Sequence, residues 1–183
     1  MSFEVAADAY ARFMGRWSEP LAAEFLPFTG VGPGDRVLDV GCGPGTLTAH
    51  LADLLGPAAV AAVDPSESFV AAARARLPDV DVRRGTAEAL PYPDGSFDAT
   101  LAQLVVHFMS DPVAGLREMG RVVRRGGTVA ACVWDHAGHT GPLAVFWAAA
   151  ARLDPDSPGE ATLPGTAEGH LAQLAEQAGL AGV

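Results

Sequence analysis

Three glycines crowd the stretch VLDVGCGPGTLTAHL, residues 37–51, where an apolar strand pattern gives way to a helix pattern. Gly41, Gly43 and Gly45 occupy alternate positions, and Asp39 lies two residues before the first of them. Glycine adopts left-handed backbone conformations and lets the main chain approach a ligand closely. The first N–H groups of the following helix are also free to bind a ligand. The stretch therefore predicts a ligand-binding turn between a strand and a helix.

A carboxylate reinforces this prediction, because Asp64 directly follows the next apolar run, residues 58–63. An acid at that place can accept hydrogen bonds from the ribose hydroxyls of a nucleoside. Dinucleotide sites use the same acid, but their glycines follow the pattern G-x-G-x-x-G. The third glycine of that pattern would fall here at Thr46, so the observed pattern is G-x-G-x-G. The glycine spacing therefore disfavours a nicotinamide dinucleotide.

The elements that position these residues alternate between strand and helix along the chain. Such alternation predicts right-handed βαβ units and one parallel sheet covered on both faces, which is an α/β fold. Ligands bind such sheets beyond the carboxyl ends of the strands, where the glycines and Asp64 fall. A turn is expected at RRGG, residues 124–127. The predicted strands are 36–40, 58–63, 80–84, 97–106 and 128–134, and the predicted helices are 46–55, 66–77, 111–123, 142–153 and 168–178.

Composition narrows the class of protein. The chain has 183 residues, which suits one domain, and its net charge is -10 because 22 acidic residues outnumber 12 arginines. Nucleic acid and anionic membrane surfaces are therefore not expected as partners. No apolar run approaches the ~20 residues of a membrane span, and the first residues lack a signal-peptide pattern. With two cysteines, too few for a disulfide framework, we expect a soluble protein of the cytoplasm.

The motif VLDVGCGPG resembles motif I of the class I S-adenosylmethionine-dependent methyltransferases. Three later segments are similar to further motifs of that family, namely residues 61–74, 85–108 and 116–135. The resemblance covers most of residues 10–135 and is nearest to the subgroup that includes the ubiquinone and menaquinone C-methyltransferases. It implies a Rossmann-like parallel sheet, S-adenosylmethionine as cofactor and S-adenosylhomocysteine as product.

The resemblance also implies which residues hold the cofactor. Motif I would line its methionine part, Asp64 would hold the ribose, and the turn after the third strand would edge the adenine. Many relatives carry Asp where Thr86 stands, so the threonine would make a weaker, neutral hydrogen bond. Cys42 is alternatively a packing residue, and Glu88 a helix-start residue. The positions carried over are Asp39, Gly41, Cys42, Gly43 and Gly45 in motif I, Asp64 and Pro65 after the second strand, Thr86, Ala87 and Glu88 after the third, and Ala102, Gln103 and Leu104 in the fourth.

Three histidines follow strands at the same edge of the predicted sheet, His107 after the fourth strand and His136 and His139 after the fifth. Each could remove a proton from a methyl acceptor, and His107 and His136 are the candidate catalytic residues. The alternative for each is a polar loop residue. Their spacing offers no set of partners for a metal ion, so no metal is predicted.

The segment YARFMGRWS, residues 10–18, spaces its large side chains for one helix face: Tyr10, Phe13, Met14 and Trp17. That face either packs on the domain or forms a lid over the cleft together with Arg16, as similar segments of relatives imply. Trp134 and the apolar run 142–147 belong either to an acceptor pocket or to the core. The predicted division is an N-terminal helical cap, residues 1–30, and a cofactor-binding domain, residues 31–183.

The predicted reaction is methyl transfer to a small, partly hydrophobic acceptor by direct in-line displacement. Two alternatives stay open: a non-catalytic module that binds S-adenosylmethionine or S-adenosylhomocysteine, and a nicotinamide-dependent oxidoreductase. The family sheet has the strand order 3-2-1-4-5-7-6, but this sequence stops where a sixth strand would begin. We expect strands 6 and 7 to be missing through truncation of a longer parent. Two alternatives to truncation are a homodimer that covers the edge of the fifth strand and a naturally short variant.

Overall fold

The apolar runs of the sequence form a sheet of five parallel strands in the computed structural model, which describes residues 7–154 and 159–182. In chain order the strands are β1 (Val37–Val40), β2 (Val60–Asp64), β3 (Asp81–Arg84), β4 (Phe97–Gln103) and β5 (Val123–Cys132). Their order across the sheet is β3-β2-β1-β4-β5, and every neighbouring pair is parallel. The described residues contain no sixth or seventh strand. The predicted Rossmann-like sheet without its last two strands is therefore confirmed.

Helices cover both faces of this sheet, because successive residues of a strand point to opposite sides. The helices are α1 (Ala7–Thr29), α2 (Thr46–Leu55), α3 (Glu67–Arg76), α4 (Pro112–Val122), α5 (Ala144–Leu153) and α6 (His170–Gln177). Val37 joins a core with side chains of α1, α2 and α3. Leu38, one residue later, joins a second core with side chains of α4 and α6. The glycine turn between β1 and α2 is thus fixed from both sides of the sheet.

Polar side chains cap the N-termini of two helices. The Ser66 hydroxyl accepts a hydrogen bond from the Phe69 N–H at the start of α3. The Asp111 carboxylate accepts one from the Ala114 N–H at the start of α4, 2.9 Å away, and Pro112 takes the first helical position. None of the helices in the described residues is long and apolar enough to cross a membrane.

The end of β4 and the start of β5 differ from the prediction. β4 stops at Gln103 rather than near residue 106, because Leu104 turns the chain with a φ of 62°. The RRGG segment falls within β5, which begins at Val123, but it is an irregular stretch of that strand, because Phe97 pairs with Val123 and Ala99 already pairs with Thr128. The register between the two strands shifts there, and Gly127 lies so close to the Asp98 carbonyl oxygen that a Cβ would clash. Glycine therefore serves close strand packing at this place.

Helix α1 is one helix of 23 residues, and its buried face is not the predicted one. Phe13 and Trp17 are 51% and 41% exposed. The buried side chains of this helix include Ser18, Ala22 and Phe25, which are not part of the predicted face. Phe13 and Trp17 therefore do not pack in the core, whereas Met14 of the same predicted face is half-buried. The predicted boundary between a cap and a domain at residues 30 and 31 stays a prediction, and residues 1–6 lie outside the described part.

Candidate functional site

The glycine turn after β1 is tied to the end of β2. The N–H groups of Gly41 and Cys42 both donate to the Val63 carbonyl oxygen, at 2.7 and 3.0 Å. Gly41 has a φ of 74°, and a Cβ there would meet the Val105 side chain at 2.5 Å. Gly43 has a φ of 55°, but a Cβ there would meet nothing within 4 Å. Gly41 is therefore required by packing, whereas Gly43 leaves open space in which a ligand can approach the backbone.

Asp64, the last residue of β2, holds this turn from the other side. One carboxylate oxygen accepts the Gly43 N–H at 2.9 Å, and the other accepts the Ser66 N–H at 2.8 Å. Burial raises the pKa of Asp64, while these two hydrogen bonds oppose the rise. Each carboxylate oxygen has a second lone pair. The side chain can therefore fix the glycine turn and still accept hydrogen bonds from a ligand.

Asp39 lies deeper, in β1, and is only 1% exposed. Its carboxylate accepts the Thr48 hydroxyl from α2 at 2.6 Å. Burial raises the pKa of Asp39 to about 7, and the nearby charge of Asp64 adds to the rise. Two buried carboxylates under one glycine turn favour a cationic group nearby, because a positive charge would stabilise both anions. Thr48 was not singled out from the sequence, although it lies within the quoted motif.

Cys42 is 6% exposed, and burial raises its pKa well above the ordinary value, with Asp39 and Asp64 adding to the rise. A thiol held in its neutral form is a poor nucleophile. The geometry therefore supports the packing interpretation of this side chain, while its backbone remains part of the turn.

The residues predicted beside an adenine follow β2 and β3, which are neighbours in the sheet. Pro65 and Thr86 are exposed, and Ala87 is buried. Glu88 lies in a turn, so the helix-start interpretation is wrong. Its carboxylate accepts the Ser110 N–H at 2.8 Å and the Asp111 N–H at 3.3 Å. Glu88 thus fastens this turn to the start of α4.

The end of β4 connects the site to helix α1. The Gln103 amide nitrogen donates to the Ser18 carbonyl oxygen at 2.9 Å. The amide oxygen of Gln103 is buried and has no hydrogen-bond partner among the described residues. The Leu104 N–H donates to the Cys132 carbonyl oxygen at 2.8 Å, and Ala102 is fully buried. The middle of α1 is therefore held beside the carboxyl ends of β4 and β5.

The predicted lid residues have different surroundings. Met14 is half-buried, whereas Arg16 and Trp17 are exposed. Tyr10 belongs to α1, but its side chain lies outside the described residues. Trp134, which follows β5, is half-buried, and its indole N–H has no partner among the described residues.

The histidines after β4 and β5 divide into two groups. His107 and His136 are 5% and 7% exposed, and their ring centres lie 5.9 Å apart. Burial, and then the charge of His136, lowers the pKa of His107 to about 4. His136 lies 3.6 Å from a carboxylate oxygen of Glu160. His139 is exposed, so the structure buries the two predicted catalytic histidines together and leaves the third at the surface.

Glu160 was missed from the sequence, since it lies in a stretch that gave only a loop signal. Its carboxylate accepts the Trp147 indole N–H at 2.8 Å. Within the described part of the chain, no three His, Cys, Asp or Glu side chains are grouped so as to hold a metal ion.

Comparison with known proteins agrees with this geometry. The family described as a methyltransferase domain matches residues 38–131. A demethylmenaquinone methyltransferase from Beutenbergia cavernae is 44% identical over 102 residues, which are 56% of this chain and 42% of that protein. The chain spans about half the length, or less, of the curated relatives it matches first.

Solved structures share the fold. A chain of the complex between the Haloferax volcanii Trm112 methyltransferase activator and a methyltransferase has a TM-score of 0.73 at 24% identity, covering 97% of this chain and 77% of that chain. An S-adenosylmethionine-dependent methyltransferase from Thermotoga maritima has a TM-score of 0.69 at 24% identity, covering 94% and 76%. On its family match and its sheet order, the chain belongs to the class I S-adenosylmethionine-dependent methyltransferases and resembles the menaquinone methyltransferases.

Proposed function

We propose that the chain binds S-adenosylmethionine at the carboxyl edge of β1, β2 and β4 and transfers its methyl group to a small, partly hydrophobic acceptor by direct displacement. The observation that carries the proposal is the pair of buried carboxylates, Asp39 and Asp64, below the open side of Gly43. A positively charged ligand suits that pair, and close backbone approach suits the open glycine. The unpartnered, buried amide oxygen of Gln103 adds an acceptor at the same edge.

Each group of residues contacts a different part of the ligand. Asp64 accepts the ribose hydroxyls through its free lone pairs, and Asp39 orients the amino group of the ligand. Residues 102–104 border its methionine end. When bound, S-adenosylmethionine supplies a methyl group on a positively charged sulfur. The remaining adenine contacts are assigned to Pro65, Thr86, Ala87 and Glu88, and the backbone of the methionine site to Gly41, Cys42, Gly43 and Gly45.

The protein contributes orientation and exclusion of water, and it needs no covalent intermediate. Correct positioning of two reactants can account for about 7–11 kcal/mol of a barrier. The acceptor is proposed to be small and partly hydrophobic because a relative is a demethylmenaquinone methyltransferase and because Trp134 and α5 border the same edge.

Titration calorimetry tests the cofactor assignment. We expect S-adenosylhomocysteine to release heat with one site per chain, and NAD to give none under the same conditions. Methyl transfer is then followed as S-adenosylhomocysteine formed with a panel of phenols, quinols and amines. Binding of NAD in place of S-adenosylhomocysteine would overturn the proposal. Binding without transfer to any acceptor would restrict the chain to a binding module.

The proposal extends to location and assembly. Cys42 and Cys132 are both free thiols, which suits the reducing cytoplasm. β5 pairs only with β4 in the described residues, so its other edge presents backbone groups to which a second copy of the chain can bind. Light scattering coupled to gel filtration measures the mass, and twice the chain mass is expected for the homodimer.

A further inference from the structure

A cavity of about 190 Å³ lies outside the proposed cofactor turn, between the loop after β5, helix α5 and the short turn Glu160–Thr162. Much of its wall is small and apolar, formed by alanines and glycines of α5 and the neighbouring loops. Its polar groups are His136, Glu160 and the Trp147 indole, with His139 at the exposed side. The volume suits a one-ring molecule rather than a macromolecule.

Trp147, Glu160 and His136 lie in sequence along the cavity, with Glu160 between the other two. The Trp147 N–H holds one Glu160 oxygen at 2.8 Å, and the same oxygen lies 3.6 Å from the His136 Nε2 atom. The side chain of His136 is 5% exposed and that of Glu160 is 22% exposed. The Glu160 carboxylate therefore lies beside the buried ring of His136 and is itself held by the Trp147 N–H.

The cavity adjoins the carboxyl edge of the sheet. The backbone N–H of His136 donates to the backbone carbonyl oxygen of Trp134 at 3.0 Å, in the loop that follows β5. The ring centre of His136 lies 5.9 Å from that of His107, which belongs to the turn after β4. That turn begins next to Val105, the residue that packs against Gly41. One wall of the cavity therefore reaches the carboxyl edge of the sheet, the edge at which the cofactor is proposed to bind.

We propose that this cavity binds the methyl acceptor as a neutral hydroxyl compound, such as a phenol or an enol, and that His136, positioned by Glu160, takes the hydroxyl proton. This inference rests on the proposed methyl transfer. His136 is then a catalytic residue, and Glu160 and Trp147 are positioning residues. The fold brings all three side chains to one wall of the cavity, although they lie in different segments of the chain.

The charge of the site favours a hydroxyl over an amine or an anion. An acceptor with a permanent negative charge, such as a phosphate, is disfavoured by the Glu160 carboxylate and by the net charge of -10, whereas a phenolate formed in the site faces the protonated His136. An amine arrives protonated, and the same carboxylate would hold it in that unreactive form. A neutral hydroxyl must lose its proton to become a good nucleophile, and the imidazole supplies the base. Burial lowers the pKa of His107 to about 4, so this ring is a poor base at neutral pH.

The step balances without any further reagent. The acceptor oxygen forms a bond to the methyl carbon while its proton moves to an imidazole nitrogen of His136. The carbon–sulfur bond breaks, and its electron pair stays on the sulfur. The Glu160 carboxylate then faces an imidazolium cation, which releases the proton to water after the product leaves.

Binding of para-nitrophenol to the protein without cofactor tests the base directly, because its anion absorbs visible light and its neutral form does not. We expect the bound phenol to ionise at lower pH in the wild type than in His136→Asn or Glu160→Gln. Trp147→Phe, a milder change that removes only the donor to Glu160, should shift the titration in the same direction. Glu176→Gln, an exposed charge change on α6, is the matched control and should titrate as the wild type. Absence of binding, or equal titrations in wild type and His136→Asn, would overturn the inference.

Kinetics with the hydroxyl acceptor found in the panel give the second readout. His136→Asn should lower kcat by about 10²–10⁴-fold, the usual contribution of a general base, and Glu160→Gln should lower kcat more than it changes KM. Both variants should bind S-adenosylhomocysteine as tightly as the wild type. If the wild type binds para-nitrophenol but not S-adenosylhomocysteine, the proposed function fails while the cavity assignment stands. Amine acceptors that react faster than phenols would contradict the hydroxyl assignment.

Discussion

At the residue scale, Gly41 and Gly43 are required for different reasons. A side chain at position 41 would collide with Val105, whereas a side chain at position 43 would point into open space. Both have positive φ angles, so both resist substitution through the backbone. The contact with Val105 makes Gly41 a packing requirement. Gly43 has open space beside its α-carbon, and its backbone N–H donates to the Asp64 carboxylate. A ligand can therefore approach the main chain at Gly43 and contact Asp64 as well.

Gly43→Ala should leave the protein folded but weaken S-adenosylhomocysteine binding. The new methyl group enters the space proposed for the ligand, and the left-handed backbone destabilises the fold by about 1 kcal/mol. Gly30→Ala is the matched control, since Gly30 also has a positive φ and open space around it. Calorimetry and thermal melting of both variants check the prediction. Equal loss of affinity in the two variants would contradict it.

Asp64→Asn should weaken S-adenosylhomocysteine binding by about tenfold or more, because a hydrogen bond to a charged group contributes about 1.5–3 kcal/mol. The variant also loses the charge that holds the Gly43 N–H. Asp53→Asn changes the net charge equally at an exposed position on α2 and should bind normally. Calorimetry at fixed pH and ionic strength compares the two. Unchanged affinity in Asp64→Asn would argue against the ribose assignment.

At the scale of elements, α1 stands out because it crosses from the core to the site. Ala22 and Phe25 pack in the core against the sheet, while Ser18 receives the Gln103 amide from β4. Phe13 and Trp17, in the half of the helix before Ser18, are left largely exposed. A helix anchored at one end with an exposed apolar face at the other suits a lid, which we propose for residues 10–18.

Hydrogen exchange measured by mass spectrometry tests this lid. S-adenosylhomocysteine should slow amide exchange in the segment 10–18, because closure over the ligand protects those amides. The amides of α6 should exchange at the same rate with and without ligand. Equal exchange of the segment 10–18 in both states would contradict the lid.

Gln103→Met should loosen α1 without a large change in the volume of the buried side chain, because it removes the side-chain hydrogen bond that joins β4 to the Ser18 carbonyl oxygen. We expect faster amide exchange in α1 around Ser18 and weaker ligand protection there. Thermal melting shows whether the variant stays folded. A rate in α1 equal to that of the wild type would mean that this hydrogen bond does not hold the helix.

At the scale of the whole molecule, two buried groups make stability depend on pH in opposite directions. The pKa of Asp39 rises from 3.8 to about 7 on folding, chiefly through burial. Its contribution to stability is therefore present below pH 3.8 and is lost as the pH rises through about 7. The pKa of His107 falls from 6.5 to about 4, again chiefly through burial. Its contribution is present above pH 6.5 and is lost as the pH falls towards 4.

Asp39→Asn should become more stable relative to the wild type as the pH rises from about 4 to 7, because the variant has no buried carboxyl group to ionise. Asparagine retains an oxygen that can accept the Thr48 hydroxyl. Urea unfolding at several pH values measures the difference in the free energy of unfolding, with Asp53→Asn as the control. A difference that does not change with pH would show that Asp39 does not titrate in this range.

Much of the fold follows from local sequence. The helix α2 has the predicted bounds, 46–55, and the helices predicted at 66–77 and 111–123 begin with the capping residues Ser66 and Asp111. These features depend on side chains a few residues apart, so they can be recognised without the fold. The RRGG segment could not be predicted as strand, because its conformation depends on close contact with β4, which lies well before it in the chain.

The alternation of strand and helix patterns predicted the parallel sheet, residue types and spacing predicted the glycine turn with Asp39 and Asp64, and the resemblance to motif I indicated the family. Three contacts became visible only once the chain was folded: Ser18 meets Gln103 across 85 positions, Thr48 holds Asp39, and Glu160 stands beside His136. Such contacts depend on how the helices and loops pack on the sheet. No local pattern specifies that packing, because the free energy that selects it is spread over the whole core.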